Sequence, residues 1–205
     1  MIDYEYIGKV LERFESRQLV AYIPCSRRNF TGTNDRASCG EVLGVSGVTV
    51  ATGLDLGQQS RKSLDRMGIP DDIMVKLMPY VGLRREEAVS ALRDCPLTLT
   101  DREVTAIDRC VHAEYIRRAV DIYDKAQADT ECSDLRFIDI PRQAQAVIVS
   151  LYYQLGAWNG TPGYRTTWKY LVACDWCAAA RELMTGFRRY PQRRKAEGVI
   201  LKEIC

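Results

Sequence analysis

Gly47-Val48-Thr49-Val50-Ala51-Thr52-Gly53-Leu54-Asp55-Leu56-Gly57 is the stretch whose reading decides the fold. Its β-branched residues favour extended backbone, and its glycines permit turns that side chains resist. Thr49 therefore reads as strand-borne, and Asp55 as sitting in a loop after a strand. Val42 to Val50, interrupted by Gly44 and Gly47, reads as a short hairpin rather than a helix. Immediately upstream, residues 25–40 are polar and turn-rich, which predicts an exposed loop. Before that loop, Tyr4, Ile7, Val10, Leu11 and Phe14 recur at helical spacing. The spacing predicts an amphipathic helix over 3–17, with Glu15 at its end. Pro24 closes the short segment between this helix and the polar loop.

Downstream of about Ser60 the chain reads almost wholly helical. Pro70-Asp71-Asp72 opens a short helix. Thr100-Asp101-Arg102-Glu103 is a capping box, and a long helix follows through Val104, Ile107, Val111, Ile116 and Tyr123. Pro141 precedes Ala144 to Leu155, which is apolar on most sides and ends at Gly156, so it reads as the central core helix. Trp158 to Gly163 reads as a loop. Trp168–Cys174, Trp176–Met184 and Pro191–Ile204 read as three closing helices. The expected class is α+β: one domain over 1–205, mostly helical with a small N-terminal β-hairpin lobe. About 1–60 form the acid helix and β lobe, and about 61–205 the helical lobe.

At 205 residues and 46% hydrophobic, the chain can bury a sizeable core. Lys and Arg exceed Asp and Glu only enough to give a charge of +2, too balanced for a dedicated nucleic-acid binder. No apolar run approaches the roughly 20 residues that span a bilayer, so no membrane insertion is expected. The opening Met-Ile-Asp-Tyr-Glu-Tyr has neither the basic nor the apolar region of a secretory signal. Eight cysteines allow buried thiols or bridges. At least one disulfide is expected, with Cys25–Cys39 the best local pair because the two flank the loop Ser26–Ser38.

Acid-catalysed cleavage of a glycosidic bond needs a protonated carboxyl at the leaving oxygen and a second group that handles water. Glu15 fits the first role, Asp55 the second, and Thr49 can hold a water because a hydroxyl both donates and accepts. Each residue also has an ordinary reading: a solvated helix charge, a turn former, a strand residue.

These segments resemble phage-type lysozymes and, more closely, the pesticin-like muramidases. That family carries a helix-end Glu followed by an aromatic and a Pro, matched here by Glu15, Tyr22 and Pro24. Its glycine-rich hairpin is matched by Gly47, Val48, Thr49, Gly53, Asp55, Leu56 and Gly57. Ser150 to Gly156 resembles its core helix, Trp176 with Ala179 and Ala180 a later segment, and Arg193-Arg194-Lys195-Ala196-Glu197 its closing helix. Ser16 and Ala51 depart from the pattern, each standing where glycine is usual, and Thr52 is a second hydroxyl beside Thr49.

The resemblance implies a lysozyme-like fold and hydrolysis of the β-1,4 bond between N-acetylmuramic acid and N-acetylglucosamine. Glu15 would be the general acid, with Asp55 and Thr49 positioning or activating the water. An inverting outcome is then expected, with carboxyls about 6.5–9.5 Å apart. No cofactor and no metal are implied. The expected partners are peptidoglycan strands and an immunity or inhibitor protein, and the chain is expected to act as a monomer. It would work in the periplasm or on the cell wall as an antibacterial toxin, effector or endolysin. A secretion machine, a holin or a parent polypeptide would deliver it. A catalytically inactive wall-binding module and a chitin-cleaving enzyme are the rival readings.

Other constellations read as structural. Cys110 and His112 are two positions apart on a helix and face different ways. Cys174-Asp175-Trp176-Cys177 has zinc-knuckle spacing without a second ligand pair. The basic run Arg188, Arg189, Arg193, Arg194 and Lys195 reads as a solvated helix face. Trp158 and Trp168 can stack on sugar rings or fill a core.

Overall fold

Residues 15–113 of the computed structural model, which describes residues 1–128, 135–156, 164–187 and 190–205, form one compact unit. Three antiparallel strands, β1 (Gln18–Tyr22), β2 (Thr49–Ala51) and β3 (Leu54–Asp55), lie in that order. The hairpin therefore falls at 49–55 rather than at 42–50. Val42 contributes only an isolated bridge to Cys25, and Leu43 and Ser46 close a turn. Gly53 at φ +89° and Ala51 at φ +53° turn the chain between β2 and β3. Ala51 thus occupies a left-handed conformation that glycine adopts at no steric cost.

The outer side of β1 is paired as well: Ala21 donates to the Leu97 carbonyl and Leu99 to that of Leu19. Helices α2 (Arg61–Met67), α3 (Asp71–Leu77) and α4 (Arg85–Asp94) come next. They bury Leu64, Ile73, Leu77, Ala88 and Leu92 in this unit's core with Val48, Val50 and Leu56. Then comes α5 (Asp101–Ala128), opened by the expected capping box: Thr100 N–H donates to Glu103 Oε2 at 2.8 Å, and Glu103 N–H to Thr100 Oγ1 at 3.3 Å.

The other unit comprises Met1–Phe14 and Glu114–Cys205, so the boundary passes through α5 after Ala113. Here α1 (Tyr4–Phe14) starts where Asp3 Oδ1 accepts from the Tyr6 amide, and it packs on α6 (Arg142–Leu155) through Ile7, Val10 and Leu11. The helix is shorter than the 3–17 of the periodicity. Beyond Phe14 the chain bends at Glu15 and turns extended, and Arg17 is drawn to Asp101 at 2.8 Å. Every residue from Ala144 to Tyr152 in α6 is buried, as expected of a core helix. Each large apolar side chain there contributes roughly 1.5–3 kcal/mol relative to exposure. Helices α7 (Tyr164–Val172), α8 (Trp176–Thr185) and α9 (Pro191–Lys202) complete the unit, α8 packing on both α7 and α9. The result is an α+β protein in which helix predominates.

Two further expectations are corrected. Arg193 and Arg194 do not lie on a solvated face, because their side chains are 9% and 1% exposed. Glu197, one turn further along α9 and wholly buried, supplies the counter-charge that makes this possible. The Cys25–Cys39 bridge is not formed: both are buried thiols. Cys39 Sγ donates instead to the Asp35 carbonyl at 3.3 Å and Cys25 Sγ to that of Ile23 at 3.5 Å. Trp168 packs against this second unit's core, its ring edge-on to Tyr123 with centroids 6.1 Å apart. Cys110 Sγ donates to the Gly68 carbonyl at 3.2 Å. Cys132, the loop Trp158–Gly163, Arg188 and Arg189 lie outside the described residues.

Candidate active site

Register places the hairpin's oxygen-bearing side chains. Tyr22 of β1 stands opposite Thr49 of β2, and Thr49 stands opposite Asp55 of β3. Directly opposed residues project to the same face of an antiparallel sheet, with Cβ atoms about 4.5–5.5 Å apart. A phenol, an alcohol and a carboxylate therefore form one row across the sheet. Sequence spacing put Thr49 on a strand and Asp55 in a loop; pairing makes them cross-strand neighbours.

Two glycines fix Asp55. Its Oδ1 accepts from the Gly57 amide at 2.9 Å and the Gly47 amide at 3.1 Å. A Cβ at Gly47 would lie 2.6 Å from Gly57 Cα and 2.4 Å from the Leu83 carbonyl oxygen. Only bare backbone allows both amides to converge on one oxygen there. Arg84 Nε donates to the Gly57 carbonyl at 2.8 Å and adds positive charge beside the carboxylate. Burial nevertheless wins: it raises the Asp55 pKa above the ordinary value of 3.8, against the pull of the amides, Gln58 and Arg84. Gly47→Ala is expected to cost roughly 1–3 kcal/mol through overpacking, read as a lower urea midpoint. An unchanged midpoint would mean that the backbones are free to separate.

Thr49 is only 4% exposed, and its Oγ1 donates to the Gly47 carbonyl at 3.5 Å. That long bond leaves the hydroxyl poorly satisfied by protein and suited to a water partner. Thr52, the rival hydroxyl, is buried at the hairpin turn, where its amide donates to Asp108 Oδ1 at 3.0 Å.

Glu15 is half-buried, one residue beyond α1. Burial pushes the Tyr22 hydroxyl pKa up, and the negative charges of Glu15 and Asp55 add to the rise. Tyr22 therefore lies within electrostatic reach of both carboxylates. Arg17 anchors the segment that holds Glu15. It pairs with Asp101 at 2.8 Å and donates to Thr105 Oγ1 at 3.1 Å, while Asp108 Oδ2 lies 3.8 Å from its Nε. Asp108 thus faces both the Glu15 segment and the hairpin turn from α5.

Tyr22 entered the sequence reading only as a family match; Arg17, Arg84 and Asp108 did not enter it as site residues. For Asp108 a signal existed: it is a carboxylate on the stripe of α5 otherwise made by Val104, Ile107 and Val111, all buried. A half-buried acid, a hydroxyl and a carboxylate of raised pKa, set on rigid neighbours, can move a proton and orient a water. No curated protein matches the chain. The model of the pesticin family, "Bacterial toxin homologue of phage lysozyme, C-term", matches residues 11–177, a span that contains Glu15, Tyr22, Thr49, Asp55 and α6. The chain belongs to the pesticin family of bacterial toxins homologous to phage lysozyme.

Proposed function

We propose that this chain is a muramidase: it hydrolyses the β-1,4 bond between N-acetylmuramic acid and N-acetylglucosamine in peptidoglycan. Membership of the family supports a lysozyme-like peptidoglycan hydrolase in general. The row Tyr22–Thr49–Asp55, with Glu15 close enough to act on the same phenol, carries the finer reading. Glu15 gives its proton to the leaving glycosidic oxygen. Thr49 and Asp55 hold a water on the opposite face of the sugar, and Asp55 takes its proton as the C–O bond forms. One displacement from the opposite face inverts the anomeric centre. The substrate is a wall glycan, and the site of action is the periplasm or the cell wall.

Incubation with purified peptidoglycan tests the reading, with new reducing ends as the expected product. Binding to wall sacculi without any reducing ends would favour an inactive wall-binding module, a reading to which the left-handed Ala51 lends some weight. Release from chitin but not from peptidoglycan would move the activity to another polymer.

The raised pKa of Asp55 sets a pH dependence. The base must be ionised, so kcat/KM falls as pH drops through the Asp55 pKa, and this acid limb lies above the 3.8 of an ordinary aspartate. Arg84 pulls that pKa down. Arg84→Ala should therefore move the limb to still higher pH in the pH–rate profile. A shift to lower pH would remove Asp55 from the base role.

A further inference from the structure

The paired part of β1 and β2 ends at Gln18 and Ala51. Beyond that pair the chain runs back through Arg17 to Glu15 on one side and on to Thr52 on the other. Backbone pairing between the two strands stops there, and one side chain of α5 reaches both. Asp108 Oδ1 accepts from the Thr52 amide at 3.0 Å, and its Oδ2 lies 3.8 Å from Arg17 Nε. Arg17 is laid along α5 by three further contacts: Asp101 Oδ1 at 2.8 Å, the Asp101 carbonyl at 3.0 Å and Thr105 Oγ1 at 3.1 Å. Residues 101, 105 and 108 share one face of that helix. The two acids differ in setting, since the Asp101 side chain is 76% exposed and that of Asp108 8%. A surface pair such as Arg17–Asp101 contributes little, whereas burying the Asp108 carboxylate is costly unless its partners are held in place.

We propose that Asp108 is a positioning residue for the hydrolytic site: it clamps the entry of β1 and the exit of β2 to α5, and so fixes Glu15 against Thr49 and Asp55. This role rests on the muramidase reading. Asp108 touches neither water nor sugar; it acts through Arg17 and Thr52. Glu15 stands two residues before Arg17, and Thr49 three before Thr52. A displacement of about 1 Å between such groups can cost roughly 100-fold in rate. Ala51, at φ +53°, holds a left-handed conformation that persists only where the surroundings enforce it. The bond from the next amide to Asp108 is such a constraint, which gives a reason for alanine to be tolerated at that turn.

Steady-state hydrolysis of purified peptidoglycan by Asp108→Ala, at a temperature where circular dichroism finds parent and variant equally folded, gives the test. A kcat about 10–100-fold below the parent with KM within about twofold is expected, because misplacement harms the reacting geometry and not the binding of the glycan. Hydrogen exchange at the Thr52 amide should quicken by about tenfold or more, the usual worth of a bond to a charged acceptor. Unchanged kcat, a rise in KM alone, or unaltered exchange at Thr52 would each overturn the proposal. Should Asp108→Ala not fold, Asp108→Asn takes its place: asparagine keeps an oxygen for the Thr52 amide but loses the charge facing Arg17. Its kcat should still fall severalfold, and a parental kcat would overturn the proposal. A parent chain that releases no reducing ends fails the muramidase reading and the positioning role with it. An active parent with an unaffected variant fails the positioning role alone.

Discussion

Glu15→Gln should lower the release of reducing ends from peptidoglycan by roughly 10²–10⁴-fold, the usual worth of a positioned proton donor. Glutamine keeps the volume and the hydrogen-bonding reach of glutamate but cannot hand a proton to the leaving oxygen. Glu15 lies just past the end of α1 and is half-buried, and glutamine of nearly equal volume takes its place without opening a cavity. The Tm of the variant should stay within a few degrees of the parent. The loss should appear in kcat rather than in KM, because the proton is needed in the transition state and not for binding. A variant that keeps full turnover would take the acid role away from Glu15, and a collapsed Tm would turn the effect into one of folding.

The largest expected loss of stability lies elsewhere, at Glu197. Its Oε1 accepts from Ser150 Oγ at 2.6 Å, from Arg194 Nη2 at 2.8 Å and from Arg193 Nε at 3.3 Å. Arg194 is itself buried and also donates to Gln154 at 2.6 Å and Tyr164 Oη at 3.4 Å. Burial pushes the Glu197 pKa up, and the Arg194 charge is the main force opposing that rise. Glu197→Ala would strand a guanidinium that is 1% exposed, so a cost of about 3–5 kcal/mol is expected. Chemical unfolding measures it directly. A cost below about 1 kcal/mol would show that the cluster is far wetter than its burial implies.

Helix periodicity and caps were legible in the sequence because they are local. Thr100 with Glu103, Pro141 before α6 and Gly156 after it each act within a few residues, and each element forms where those signals stand. The family match at Thr49 and Asp55 was legible because both lie within one continuous run, Gly47 to Gly57, and Glu15 because it stands a short distance before Tyr22 and Pro24. What pairing decides was not legible. Strand β1 at Gln18–Tyr22 exists because β2 and the Leu97–Leu99 segment complete its ladder from both sides. The hairpin sits at 49–55 because Asp55 captures the amides of Gly47 and Gly57, which blocks a turn at Gly47. The run Arg193–Arg194 reads as solvated only when Glu197 is ignored, and whether such a carboxylate faces inward depends on Ser150, which lies 47 residues away. Cysteine bridging fails for the same reason. Cys25 and Cys39 flank one loop yet bond to different carbonyls.

Family membership supports action on the wall, and among the described residues no helix is long and apolar enough to cross a membrane. Toxin, effector and endolysin are proposals of role that share one chemistry, so the chemistry is the point to test. Mass analysis of borohydride-reduced products from purified peptidoglycan does so in one experiment. The account predicts soluble muropeptides that have gained one water and carry reduced N-acetylmuramic acid at the new end, at wild-type level only when Glu15 is intact. Anhydro products, reduced N-acetylglucosamine ends, or a complete absence of soluble fragments would contradict it.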